Sequence, residues 1–231
     1  MILIDPWITN PANPEGKDDL AALDKVDLIL VSHRHFDHIG DSVDIAKRTG
    51  AQLVTNYDLG SAMVADIGFP AKQADFGTQG NAGGTITVLD GEVSMTFEPA
   101  VHGSTLSPPP ASAGGPQQVL TGGEPGGFVI RIQHGPTFYH TADTAVFGDM
   151  QLIGAADHIN VMPACIGDHF TMGPKGAALA MQLVHPDLVI PMHYGTFPVL
   201  TGTQDELNQA LKARHLNTKM KVLTVDEAVS F

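Results

Sequence analysis

The residues best suited to chemistry are concentrated between Ser32 and Asp41, directly after an apolar run at residues 26–31. This stretch contains the closely spaced side chains of His33, His35, Asp37 and His38. Burying imidazoles and a carboxylate without partners is costly, so such side chains at the end of a core strand need a positively charged partner. Imidazole and carboxylate suit zinc, iron, manganese or nickel, and no cysteine lies nearby to indicate a thiolate site. A polar turn with surface histidines is the alternative, but this longer pattern after a strand favours a metal site.

The His-x-His-x-Asp-His pattern resembles the marker of the metallo-β-lactamase superfamily. Further segments resemble, in the same order, the landmarks of its branch of small metal-dependent hydrolases related to ascorbate-phosphate lactonases. These segments are residues 2–6, 32–41, 100–102, 142–144, 166–174 and 191–198. The resemblance implies an α/β fold, the four-layer αββα sandwich. Family members usually begin with an additional strand pair that carries a Gly-His motif, and we expect this first amino-terminal strand pair to be missing here.

The resemblance also implies a dinuclear metal site. In this assignment His33, His35 and His102 hold the first ion. The second ion is held by Asp37, His38 and His193, and Asp143 bridges the two. The expected cofactors are two divalent metal ions, with Zn²⁺ placed first and Mn²⁺, Ni²⁺ or Fe²⁺ as alternatives.

The function implied by the resemblance is hydrolysis, in which a dinuclear metal-bound hydroxide attacks an ester, lactone, amide or phosphodiester bond of a small molecule. Asp37 and His169 are the catalytic candidates. His169 could donate a proton to the leaving group, bind a substrate oxygen, or have a structural role only. Cys165 is expected to be a small buried apolar residue and not a nucleophile.

Two other functions stay open at this point. Some relatives on this fold use iron as oxidoreductases, and the diiron group generally has glutamate at the second histidine of the motif, which is His35 here. This difference favours hydrolysis over the iron-dependent oxidoreductase. A non-catalytic metal-binding protein is the other alternative.

Composition limits the partners. The 12 Lys and Arg against 25 Asp and Glu give a formal net charge of −13, which repels nucleic acid and anionic lipid surfaces and favours a small-molecule substrate. A single cysteine excludes an intrachain disulfide. The start of the chain lacks a signal-peptide pattern and no long apolar run follows, so we expect a cytoplasmic protein without a membrane partner.

By length the chain could form one large or two small domains, but a ligand set scattered from His33 to His193 fits one compact domain at residues 1–231. Strand and helix patterns alternate along most of the chain. Predicted strands lie at residues 2–4, 26–31, 52–55, 85–89, 92–99, 128–133, 137–141, 158–162 and 188–191. Predicted helices lie at residues 18–23, 59–67, 175–184 and 204–213, with another between Asp41 as its cap and Gly50. Asp90 and Gly91 are expected to form a two-residue hairpin turn. Strand, ligand loop and helix in this order place ligands at the carboxyl edge of a sheet.

Residues 104–127 are rich in proline and glycine. By composition they form a linker or a disordered loop, but a loop of this length in a compact domain is often functional, and we favour a mobile flap over the site. Deleting residues 108–115 should then change KM or substrate range and leave the fold intact.

Four histidines, His134, His158, His185 and His215, are expected at the surface, whereas His140 is left open as a pocket residue or a support for the ligands.

The strand at residues 2–4 would have an uncovered edge without the missing pair. We therefore expect a homo-oligomer with residues 1–7 at a subunit contact, the alternative being a start codon further upstream.

Overall fold

The computed structural model describes residues 1–107, 116 and 118–231. The chain is divided into two compact units, of which the first comprises Met1–Ile86 with Gly103–Gly126 and the second Thr87–His102 with Gly127–Phe231. A single domain at residues 1–231 stays a prediction. The segment at residues 108–115, for which a deletion was predicted to change substrate range, lies outside the described residues.

The first unit contains a parallel sheet in the order β1-β2-β3-β4. Its strands are β1 (Ile2–Ile4), β2 (Leu28–Leu30), β3 (Gln52–Asn56) and β4 (Gln79–Gly80). Every residue of β2 is buried, as expected for a central parallel strand with a continuous apolar sequence. Strand β2 is shorter than the strand predicted at residues 26–31.

The helices of the first unit are α1 (Gly16–Ala22), α2 (Phe36–Ile39), α3 (Ser42–Thr49) and α4 (Tyr57–Ile67). Asp41 stands at the predicted N-cap position of α3, but its side chain does not cap the helix. Its carboxylate instead accepts hydrogen bonds from the backbone N–H and the hydroxyl of Thr9. The apolar core of this unit includes the buried side chains of Ile29, Ile45, Leu53, Leu59 and Met63.

The second sheet has the order β13-β12-β11-β10-β9-β6-β5. Its strands are β5 (Thr85–Val88), β6 (Val93–Pro99), β9 (Gly126–Ile132), β10 (Thr137–His140), β11 (Val161–Cys165), β12 (Leu188–Met192) and β13 (Lys219–Met220). Strands β10 to β13 are parallel neighbours, and β9 pairs with β10 in the antiparallel direction. The parallel strands therefore end at one edge, where the loops after β10, β11 and β12 begin.

The helices of the second unit are α5 (Met150–Ala156), α6 (Pro174–Val184) and α7 (Gln204–Ala213). Helix α7 begins with a capping box, in which Thr203 and Glu206 satisfy each other's backbone N–H groups. Buried side chains of these helices, including Met181 and Leu207, share an apolar core with Tyr139 and Met162 of the sheet.

Two local predictions need correction. The described ends of the proline- and glycine-rich segment form an antiparallel ribbon of β7 (Thr105–Leu106) and β8 (Leu120–Thr121), where no regular structure was expected. Between β5 and β6 the chain turns through a 3-10 segment, Leu89–Gly91, and not a two-residue hairpin. Within the described part of the chain, no helix combines the length and apolar character that crossing a membrane requires.

Candidate functional site

The first unit brings four of the predicted ligands together in two pairs on the loop and short helix after β2. We call residues 32–41 the ligand loop. His33 is fully buried, and its Nε2 lies 2.9 Å from Nδ1 of His35. Nε2 of His38 lies 3.8 Å from a carboxylate oxygen of Asp37. The spacing of the motif thus places ligand-type atoms next to each other in this unit.

Asp5, at the end of β1, fixes the orientation of two of these imidazoles. Its carboxylate accepts hydrogen bonds from the backbone N–H and the hydroxyl of Ser32, at 2.8 and 2.6 Å, and lies 2.8 Å from Nδ1 of His38. Because the Ser32 hydroxyl donates to Asp5, it accepts from Nδ1 of His33 at 2.9 Å. Both imidazoles therefore carry their lone pair on Nε2, the nitrogen that a metal ion would use.

The second unit brings the other three predicted ligands together. One carboxylate oxygen of Asp143 lies 3.3 Å from Nε2 of His193 and 3.6 Å from Nε2 of His102. Asp143 is 3% exposed. A nearly buried carboxylate between two imidazoles is a strong site for positive charge.

Hydrogen bonds between the loop after β6 and the loop after β10 place two of these side chains. The Thr144 hydroxyl accepts from the N–H of Val101 at 2.9 Å, and the N–H of Ala145 donates to the carbonyl of Val101 at 3.0 Å. The two loops are thereby joined, which sets His102 beside Asp143. His193 follows β12 directly, and a side chain at Gly167 would meet its carbonyl oxygen at 2.4 Å.

Several of these positions have left-handed backbone conformations that are uncommon for residues other than glycine. The φ angles of Asp5, Ala142 and His193 are 46°, 53° and 54°. Such a conformation costs on the order of 1 kcal/mol or more at each residue and persists where the surrounding structure enforces it. In the second unit, these residues turn the chain at the end of a strand, so that Asp143 and His193 reach the same place.

The donor atoms fit divalent ions of the zinc class. Zinc–nitrogen bonds of about 2.0–2.1 Å in a tetrahedral site hold two ligand atoms roughly 3.3 Å apart. The separations of 2.9 Å between the His33 and His35 nitrogens, and of 3.3 Å between His193 and Asp143, are close to this value. The set contains imidazole and carboxylate without thiolate, which suits zinc, manganese, iron or nickel.

His169, the other catalytic candidate, lies exposed on the loop after β11. Its φ is 55° and that of the preceding Asp168 is 65°. Its N–H donates to the Asp168 carboxylate at 2.8 Å, and its ring contacts that of Phe170. The structure does not group it with His102, Asp143 and His193, so its role stays a prediction.

The remaining candidates have structural positions. Cys165 is fully buried, and burial, with a further contribution from the Asp143 charge, raises the pKa of its thiol to about 11. The expectation that it is not a nucleophile agrees with this position. Nδ1 of His140 accepts from the N–H of Ala142 at 3.2 Å and so supports the turn that carries Asp143. The predicted surface positions of His134, His158, His185 and His215 are confirmed.

Sequence reasoning missed Asp5 and Arg34 as parts of this site. Arg34 lies between two ligand candidates and is 1% exposed. Its guanidinium donates to the carbonyl of Thr121 in β8 and to the carboxylate of Asp66 in α4, both at 2.7 Å. Asp5 could have been recognised from an aspartate that ends a strand, but the partners of Arg34 are distant in sequence and carry no local signal.

A family model described as "Beta-lactamase superfamily domain" matches residues 1–194 of the chain. The chain is similar to a UPF0173 metal-dependent hydrolase of Thermodesulfovibrio yellowstonii, with 52% identity over 99% of this chain and 84% of that protein. It is also similar to a UPF0173 metal-dependent hydrolase of Anaeromyxobacter dehalogenans, with 50% identity over 100% of this chain and 80% of that protein.

Solved structures show the same similarity. The structure of Igni18, a metallo hydrolase from the archaeon Ignicoccus hospitalis, has a TM-score of 0.82 and 33% identity, covering 100% of this chain and 90% of that one. An isothiocyanate hydrolase from Delia radicum gut bacteria has a TM-score of 0.69 at 16% identity, covering 100% and 92% of the two chains. At that identity the second similarity concerns the fold alone.

Proposed function

The chain belongs to the β-lactamase superfamily, among its metal-dependent hydrolases, and from this premise we propose that it holds two divalent metal ions and hydrolyses a bond in a small molecule. The predicted family and the predicted α/β metallo-β-lactamase fold are confirmed by the same comparisons. The observation that carries the proposal is the position of Asp143. One of its oxygens lies close to Nε2 of both His102 and His193, as a carboxylate shared by two ions requires.

The proposed ligand assignment is the one that the family resemblance implies. His33, His35 and His102 would hold the first ion, Asp37, His38 and His193 the second, and Asp143 would bridge them. The Nε2 lone pairs of His33 and His38, fixed through Ser32 and Asp5, support this assignment. Zinc is the first candidate, and manganese, nickel or iron would use the same donors.

When bound, the ions would act as Lewis acids and would lower the pKa of water towards about 7, which makes hydroxide available near neutral pH. The chain's own residues have three tasks. Asp5 and Ser32 orient the imidazoles of His33 and His38 by accepting from their Nδ1 atoms, which places the lone pair on Nε2. Asp37 and Asp143 supply negative charge. His169, exposed on the loop after β11, would deliver a proton to the leaving group or hold a substrate oxygen.

The net charge of −13 supports a small molecule over nucleic acid as the substrate. Ester, lactone, amide and phosphodiester bonds all fit this chemistry. The expected homo-oligomer and the cytoplasmic location stay predictions.

A panel of a lactone, a phosphodiester and a β-lactam, offered to zinc-loaded and to chelator-treated protein, tests the proposed function. We expect hydrolysis of at least one substrate that disappears on chelation and returns with zinc or manganese. His33→Ala should abolish it, whereas His134→Ala, which changes an exposed histidine elsewhere, should not. Metal-loaded protein with no turnover would favour a binding protein, and a visible iron absorption band with redox activity would favour the oxidoreductase.

A further inference from the structure

An aromatic pair in the first unit joins Phe36 of the ligand loop to Trp7 in the segment after β1. Phe36 lies in sequence between the ligand candidates His35 and Asp37, and its side chain is 56% exposed. The ring of Trp7 meets it edge to face, with 5.5 Å between the ring centroids. Large apolar side chains held partly in solvent cost hydration free energy, and this pair includes a residue next to two ligand candidates in the sequence.

The segment that carries Trp7 is fixed to the ligand loop on both sides. On one side Asp5 accepts hydrogen bonds from Ser32, and on the other Thr9 donates to the Asp41 carboxylate at 2.8 and 2.6 Å. Between these contacts the N–H of Asp41 donates to the carbonyl of Pro6 at 2.8 Å. The five-residue segment from Asp5 to Thr9, which contains Trp7, is therefore held to the ligand loop at Asp5, Pro6 and Thr9.

Gly40 makes this contact possible. Its φ is 34°, and a Cβ there would lie 2.4 Å from the Pro6 oxygen and 2.8 Å from the Trp7 Cα. The two backbones can approach this closely only without a side chain at position 40. The segment that carries Trp7 is thus held closely against the ligand loop that carries Phe36.

We propose that Trp7 and Phe36 form an apolar wall that binds an aromatic ring or an alkyl chain of the substrate, next to the bond that is hydrolysed. This inference rests on the proposed function and names the substrate class: hydrolysable small molecules with an apolar substituent. Rigid aromatic side chains bind such groups at low cost in conformational entropy. The wall contributes binding and not chemistry, so Trp7 and Phe36 are specificity residues.

The same unit provides a matched control. Phe76 is 79% exposed and meets Tyr57 edge to face at a centroid distance of 5.8 Å. This second pair lies on α4 and the 3-10 segment Phe76–Thr78, away in sequence from the ligand loop. Phe36→Ala and Phe76→Ala therefore remove the same side chain from the same kind of pair.

Trp7 is the single tryptophan of the chain, so tryptophan emission reports on the wall without any turnover. We would titrate metal-loaded and chelator-treated protein with phenylacetate and with acetate, which share a carboxylate and differ in the ring. Phenylacetate should bind at least about tenfold more tightly than acetate in both forms of the protein. Phe36→Ala should remove this preference, Phe36→Leu should restore part of it, and Phe76→Ala should leave it unchanged.

Equal affinities for the two ligands, or equal effects of the two alanine variants, would overturn the inference. A further contradicting result is that Phe36→Ala changes the molar mass in light scattering and keeps the preference for phenylacetate. The pair would then be a subunit contact. Absence of metal or of hydrolysis would contradict the proposed function. The apolar wall is tested independently of that function by the ratio of the phenylacetate and acetate affinities in chelator-treated protein.

Discussion

At the residue scale, the Asp5 carboxylate connects β1 to the ligand loop and orients two imidazoles. It contacts Nδ1 of His38 directly and reaches His33 through the Ser32 hydroxyl. Supporting carboxylates of this kind raise the basicity of a ligand imidazole and fix its tautomer. Asp5 should therefore control metal affinity without being a ligand.

Asp5→Asn tests this role. The amide keeps the shape but removes the charge, and it cannot accept all of the hydrogen bonds that the carboxylate accepts. Metal affinity, measured by competition with a chromophoric chelator, should fall by about 10- to 100-fold. Asp24→Asn, which changes an exposed carboxylate outside the ligand loop, is the control and should bind metal like the unmodified protein.

Glu98 on β6 gives a prediction for pH. Burial, with a smaller contribution from the Asp157 charge, raises the pKa of its carboxyl to about 7, although Arg131 opposes the shift. Because the folded state holds this proton more tightly than the unfolded state, the free energy of unfolding falls as pH rises from about 4.5 through about 7. The loss is complete above the folded pKa.

Glu98→Gln should remove that loss. Urea unfolding of both proteins at pH 5 and at pH 8 measures this. The free energy of unfolding of the variant, relative to that of the unmodified protein, should be higher at pH 8 than at pH 5. The exposed carboxylate of Glu92 provides the matched change, Glu92→Gln, which should show no such difference. A Glu98→Gln protein with an unchanged pH dependence would contradict the shifted pKa.

At the scale of the elements, Arg34 joins three parts of the first unit. Its backbone belongs to the ligand loop, and its guanidinium bonds to β8 and to α4. A side chain at Gly122, next to β8, would meet the Arg34 Cβ at 2.6 Å, so the ribbon packs directly on this arginine. The ribbon and the ligand loop are thereby fixed to one another.

Asp66→Asn should weaken this arrangement, because a buried guanidinium would lose its ion-pair partner. Asp66 is itself 34% exposed, and solvent screening limits the expected cost to about 1–3 kcal/mol in the free energy of unfolding. Chemical denaturation of the variant measures it. Asp24→Asn, at an exposed loop position, should cost nothing measurable, and an equally small effect at Asp66 would show that the pair contributes little.

Sequence reasoning succeeded where the signal is local. Helix α7 agrees with the predicted residues 204–213, because Thr203 and Glu206 mark its start and an apolar stripe follows. All of the ligand candidates were found from a short motif and a family resemblance. The structure brings together the four on the ligand loop, and it separately brings together the three after β6, β10 and β12.

The failures concern contacts that are distant in sequence. Helix α5 was missed because it is short, contains Gly154, and has no side-chain cap. Asp41 looked like a helix cap, but Thr9, 32 positions away, takes its carboxylate. The ribbon of β7 and β8 joins residues on either side of a proline- and glycine-rich stretch whose composition indicates no strand.

At the scale of the whole molecule, β1 raises the question of assembly. It is the first strand in the order of its sheet, with β2 as its neighbour among the described residues. A strand at a sheet edge offers backbone groups for pairing with another chain. Light scattering should therefore give a molar mass of two or more times the 24.4 kDa of one chain. A single-chain mass at all concentrations would contradict assembly through this edge.

The metal content of the protein tests the central claim most directly. After loading with zinc and removal of free metal, elemental analysis should find about two ions per chain, the number that a bridging carboxylate and hydrolytic chemistry of this kind imply. His102→Ala should preferentially empty the first site, and Asp143→Ala should disrupt both. No more than trace metal in the fully loaded, unmodified protein would contradict the account.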